Sequence, residues 1–75
     1  MKIEILGKGC PKCKYVEDNA RKAVAEKGIN ADIVKVTDFD EIIKRGITST
    51  PAIVIDGQLK AYGRIVSSDE IKKWL

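Results

Sequence analysis

Two cysteines stand three positions apart in GKGCPKCKY, residues 7–15, with Pro11 and Lys12 between them. The chain holds no further cysteine and no histidine, so Cys10 and Cys13 work together or across a subunit interface. A C-x-x-C pair suits three chemistries: a structural disulfide, half of a metal site, or a reversible dithiol/disulfide. As a staple it is poorly placed, because a ring of roughly four residues stabilises by about 2 kcal/mol against about 3 for a 15-residue loop. An ordinary cytoplasm would also keep it reduced. As a zinc site it is two ligands short, and carboxylates or a second subunit would have to complete the tetrahedron. Two thiolates alone do suit Cu(I), so a carrier of Cu(I) or another soft metal is the alternative to redox chemistry.

The elements around the pair favour redox chemistry. KIEIL (2–6) alternates, with Ile3 and Ile5 on one face and Glu4 and Leu6 on the other, which predicts a strand ended by Gly7 and Gly9. From Pro11 the apolar period lengthens: Cys13, Val16, Ala20 and Ala23 or Val24 form a helical stripe closed by Gly28, with Glu17, Asp18 and Arg21 off it. Cys10 is then expected at the N-cap, Pro11 at the first helical position, and Cys13 on the buried side of the first turn. A thiol at a helix N-terminus faces unpaired backbone N–H groups and the positive end of the dipole, both favouring thiolate. Lys8, Lys12 and Lys14 push the same way. Cys13 would be shielded yet within reach of Cys10, the unequal access that a nucleophile and its resolving partner require.

The remaining segments complete a small α/β domain. ADIVKV (31–36) reads as a second strand, parallel to the first through a right-handed crossover. A short helix follows, with Asp38 and Glu41 spaced as a capping box and Phe39, Ile42 and Ile43 as its buried stripe, stopped by Gly46. PAIVI and QLKAY flank Asp56-Gly57 as a tight hairpin. In the last helix Ser67 and Glu70 repeat the capping-box spacing, Val66 and Ile71 suit a hydrophobic staple, and Ile71, Trp74 and Leu75 face the sheet. The expected fold is α/β, strand-helix-strand-helix-strand-strand-helix, a four-stranded mixed sheet between helices, with residues 1–75 as one domain. The first strand is central and carries the cysteines at its C-terminal end, the usual place for a site. Tyr15 and Tyr62 could line the site or fill the core, and core packing is the expected role.

TSTPAIVIDG (48–57) places Pro51 at the start of a strand. With a C-x-x-C opening the first helix, the whole chain resembles the thioredoxin-like superfamily, and within it the small prokaryotic thioredoxin/glutaredoxin-like, redox-active disulfide proteins. The resemblance implies a cis Thr50-Pro51 bond beside the cysteines, with Thr50 and Pro51 shaping the substrate groove. It implies a thiol-disulfide oxidoreductase with Cys10 as nucleophile and Cys13 as resolving thiol, needing no cofactor beyond the Cys10–Cys13 disulfide. Glu4, six residues before Cys10, stands where thioredoxins carry a buried acid that moves protons to the second cysteine; the other reading of Glu4 is an exposed strand carboxylate, while Lys12, by its charge beside the pair, is a candidate tuner of the thiolate. The partners implied are protein disulfides and a reductase or thiol donor. Cys-Pro-Lys-Cys is nearer the glutaredoxin pattern than the thioredoxin one. YGRIVSSDE, however, has Arg64 where glutaredoxins keep the second glycine of their glutathione clamp, though Asp69 matches its acid. Small copper chaperones also present C-x-x-C after a first strand, but they run strand-helix-strand-strand-helix-strand and carry Met where this chain has Lys8.

Bulk composition adds exclusions. Net charge is +3, with pI near 9.0, but lysines alternate with acids, and one Trp, two Tyr and one Phe supply no stacking motif, so no nucleic-acid partner is expected. The longest apolar run is Ala52 to Ile55, and Glu4 interrupts the N-terminal segment, so neither a membrane span nor a signal peptide is expected. The expectation is a cytoplasmic monomer.

Overall fold

The computed structural model describes residues 1–7 and 11–75. Among these residues seven elements follow one another: β1 (Lys2–Leu6), α1 (Pro11–Lys27), β2 (Asp32–Val36), α2 (Phe39–Lys44), β3 (Ala52–Ile55), β4 (Gln58–Tyr62) and α3 (Ser68–Trp74). The strands form one sheet in the order β2-β1-β3-β4. β1 lies parallel to β2 and antiparallel to β3, and β3 and β4 close the hairpin. This is the expected α/β fold with its mixed four-stranded sheet, and β1 is an inner strand.

The alternation in β1 builds two cores. Ile3 and Ile5 point to one face, where they join Val16, Ala20 and Ala23 of α1 and Ile71 of α3. Leu6 points to the other, where Ile42, Ile47, Ala52 and Val54 surround it. Burying a side chain the size of Ile3, Leu6, Ile53 or Ile71 contributes about 1.5–3 kcal/mol, so sandwiching β1 from both sides is what holds the domain together. Trp74 and Leu75 pack on the first core as expected, and Val66 and Ile71 are both buried.

Local signals are met in part. Gly28 ends α1 at φ +65°, and Asp56 and Gly57 turn the hairpin at φ 50° and 82°, the positive pair that a tight primed turn needs. Ser67 caps α3 by accepting from the Glu70 backbone N–H at 3.2 Å. Asp38 caps α2, but it accepts from the N–H of Asp40 at 3.0 Å rather than that of Glu41. The stripe expected on α2 needs correcting: only Ile42 is buried, while Phe39 and Ile43 are each 53% exposed. Six residues make fewer than two turns, and Ile47, beyond the helix, fills the core place that Ile43 would have taken. Tyr15 and Tyr62 also depart from expectation, at 59% and 57% exposed.

An ion pair fastens α2 to the sheet. Glu4 is buried, and its Oε2 receives Nη2 of Arg45 at 2.7 Å; Arg45 Nε also donates to Glu41 Oε1 at 3.1 Å. The Arg45 guanidinium holds the Glu4 carboxyl below its ordinary 4.5, outweighing the opposing effect of burial. A depressed acid stabilises the fold above its unfolded-state pKa and loses that contribution as pH falls through the folded value. Glu4→Gln should therefore cost about 1–2 kcal/mol at neutral pH, and the difference in urea midpoint from the parent should shrink as pH drops below 4.5. A difference constant across that range would contradict this role.

Candidate active site

Strand β1 ends where α1 begins to cover it. Cys13, the third residue of α1, is 6% exposed and turns inward with Val16. Its sulfur lies against Gly7, whose amide donates to Val36 O at 2.9 Å and so continues the β1–β2 ladder past the strand. A Cβ on Gly7 would overlap Cys13 Sγ and stand 3.3 Å from Cys13 Cβ and 3.7 Å from Thr50 Cβ. Three segments thus meet at this glycine: the end of the central strand, the first turn of α1, and the approach to β3.

On that third segment the Thr50–Pro51 peptide bond is cis. Thr50 is exposed and Pro51 is fully buried, with the Pro51 carbonyl accepting from the N–H of Gly63 at 2.9 Å. Lys12 is exposed on the first turn of α1. Cys10, its expected N-cap position and Lys8 lie outside the described residues. The structure therefore brings Cys13, Gly7 and Thr50 together. Arg64 is engaged by Glu70 at 2.8 Å and Asp69 by Lys72 at 3.3 Å, so both residues weighed for a glutathione clamp already have ionic partners.

Glu4 stands apart from this cluster. In β1 it shares the face of Leu6, toward Arg45 and α2, whereas Ile5 and Gly7 share the face toward α1. The acid near Cys13 is instead Glu17, one helical turn further along α1. Cys13 and Glu17 line a cavity of about 150 Å³ together with Ile5, Gly7, Lys35 and Thr37. Glu17 Oε2 pairs with Arg21 Nη2 at 2.8 Å and its Oε1 with Lys35 Nζ at 3.4 Å, with 12% of its side chain exposed. The hydrogen bond from Arg21 is the main reason that its carboxyl is held below the ordinary 4.5, with Lys35 adding to it. The helical stripe put Glu17 on the solvent side. The signal that would have found it is its i, i+4 spacing from Cys13, read together with a lysine on the neighbouring strand.

Among the described residues no group of three or more His, Cys, Asp or Glu side chains is placed to hold a metal ion, and no helix is long and apolar enough to cross a membrane.

The glycine-sulfur contact is open to a double-mutant test. Gly7→Ala should destabilise by about 1–3 kcal/mol, because a methyl group there must displace the sulfur. In a Cys13→Ala background the same change should cost at most half as much, since the overlapping atom is gone. Equal costs in both backgrounds, measured by urea unfolding, would show that the contact does not constrain Gly7.

A family model described as a thioredoxin domain matches residues 1–75. A thioredoxin of Methanothermobacter thermautotrophicus is 48% identical over 75 residues, covering 100% of this chain and 97% of that protein. A thioredoxin of Methanocaldococcus jannaschii is 47% identical over 73 residues, covering 97% of this chain and 84% of that protein. With the matching order of elements, the chain belongs to the thioredoxin family of thiol-disulfide oxidoreductases.

Proposed function

We propose that Cys10 and Cys13 are the redox pair, reducing or exchanging protein disulfides through a Cys10-Pro-Lys-Cys13 dithiol. The observation that carries this reading is the position of Cys13: a buried sulfur in the first turn of α1, packed on Gly7 at the end of the central strand and facing the Thr50–Pro51 segment. A sulfur so enclosed is out of reach of a folded substrate. It suits the second step of thiol-disulfide exchange, in which the attacking and attacked atoms belong to one chain.

The cycle begins with the Cys10 thiolate. It attacks one sulfur of the substrate disulfide, forming a mixed disulfide and releasing the other sulfur as a thiolate that takes up a proton. Cys13, on losing its proton, attacks Cys10 Sγ. The Cys10–Cys13 disulfide forms, the second substrate thiolate leaves, and two electrons have passed from the pair to the substrate. Cys10 immediately precedes the first helical residue, where unpaired N–H groups and the helix dipole favour a thiolate, and Lys12 adds positive charge. The exposed Thr50 and the buried Pro51 would form the wall against which the substrate chain lies. A reductase or a small thiol returns the pair to the dithiol form, and a reducing compartment such as the cytoplasm favours that direction.

Cys13→Ser tests the division of labour. Mixed disulfides should accumulate on Cys10, visible by mass spectrometry as adducts that dithiothreitol removes, and turnover of insulin disulfides should fall by at least tenfold. Turnover equal to the parent would remove Cys13 from the scheme.

A further inference from the structure

Two acids share the cavity beside the central strand: the Cys13 thiol and the Glu17 carboxyl. They stand four residues apart on α1, so both project from the same side of the helix. Glu17 is 12% exposed and carries its negative charge at neutral pH, since Arg21 and Lys35 hold its carboxyl below the ordinary range. Turning Cys13 into a thiolate would place a second negative charge in the same small, poorly solvated volume, which the first charge opposes.

We propose that Glu17 is a positioning residue for the redox pair: its charge, anchored by Arg21 and Lys35, sets the ionisation of Cys13 and keeps the proton on that sulfur. The inference rests on the reading of Cys13 as the resolving thiol, to which it adds the reason why this sulfur does not compete as the first nucleophile. Lys35 acts in the opposite sense, as the cation that β2 contributes to the cavity wall, but with 61% of its side chain exposed its influence is weakened by water. Among the described residues the other titratable group lining the cavity is Lys14, from α1, while Ile5 of β1 and Gly7 just beyond it line the wall on that side. Arg21 lies one turn beyond Glu17 and acts on Cys13 through it.

The experiment uses the Cys10→Ser chain, in which Cys13 is the single thiol, and follows thiolate absorbance in the ultraviolet across pH. Glu17→Gln should lower the Cys13 pKa by about one unit, the size expected for a like charge roughly one helical turn away in a partly solvated site. Lys35→Met should raise it by about half as much, and Glu17→Asp should leave it within a few tenths of the parent. Opposite signs identify a charge effect, because loosened packing that admits water would lower the pKa in both variants. No shift in Glu17→Gln, or shifts of the same sign in Glu17→Gln and Lys35→Met, would overturn the proposal. The titration reads the thiol and not its turnover, so it fails independently of the redox function. Loss of insulin reduction in the parent chain would refute the redox function while leaving the titration result intact.

Discussion

Because Gly7 carries no side chain, the sulfur of Cys13 can rest against the end of the central strand, and the organisation of the site depends on that contact. Its backbone φ lies outside the left-handed region, so it is space and not conformational freedom that calls for glycine here. The contact sets how closely the first turn of α1 approaches the sheet. Thr50 borders the same volume from the segment leading into β3. Sheet order explains why these segments converge. β1 has β3 on one side and β2 on the other, so the start of β3, the end of β1 and the end of β2 all fall at one edge.

The two faces of β1 divide the electrostatics as they divide the core. Glu4 lies on the α2 side, where the Arg45 guanidinium neutralises it and links the loop after α2 to the inner strand. Glu17 lies on the α1 side, beside the sulfur, and is neutralised only in part by cations that reach toward solvent. Both are acids withdrawn from water with a basic partner, the form in which a buried charge is tolerated. They differ in what else is near: Glu4 has apolar side chains around it, whereas Glu17 shares its cavity with an ionisable thiol. An acid expected from the family resemblance on the strand is thus matched, at the sulfur, by an acid on the helix.

Much of the fold was legible in local patterns. The alternation of KIEIL, the stripe through Cys13, Val16 and Ala20, the Asp56-Gly57 turn and the caps at Asp38 and Ser67 each depend on neighbours a few residues away, and each is present. Where the reading failed, long-range geometry decided. Phe39 and Ile43 are apolar at helical spacing, yet α2 is too short to lay both on the sheet, and Ile47 occupies the core instead. Tyr15 and Tyr62 were assigned to a core that is filled by aliphatic side chains and leaves them at the surface.

The sequence by itself determined the order of elements, the central place of the first strand, the inward turn of Cys13 and the family, because these follow from residue periodicity and from motifs read along the chain. Only the tertiary structure decided which acid meets the sulfur. Residues in a strand alternate sides while those in a helix return every turn, so whether Glu4 or Glu17 faces Cys13 depends on which face of β1 receives α1, and the packing of the two cores sets that face.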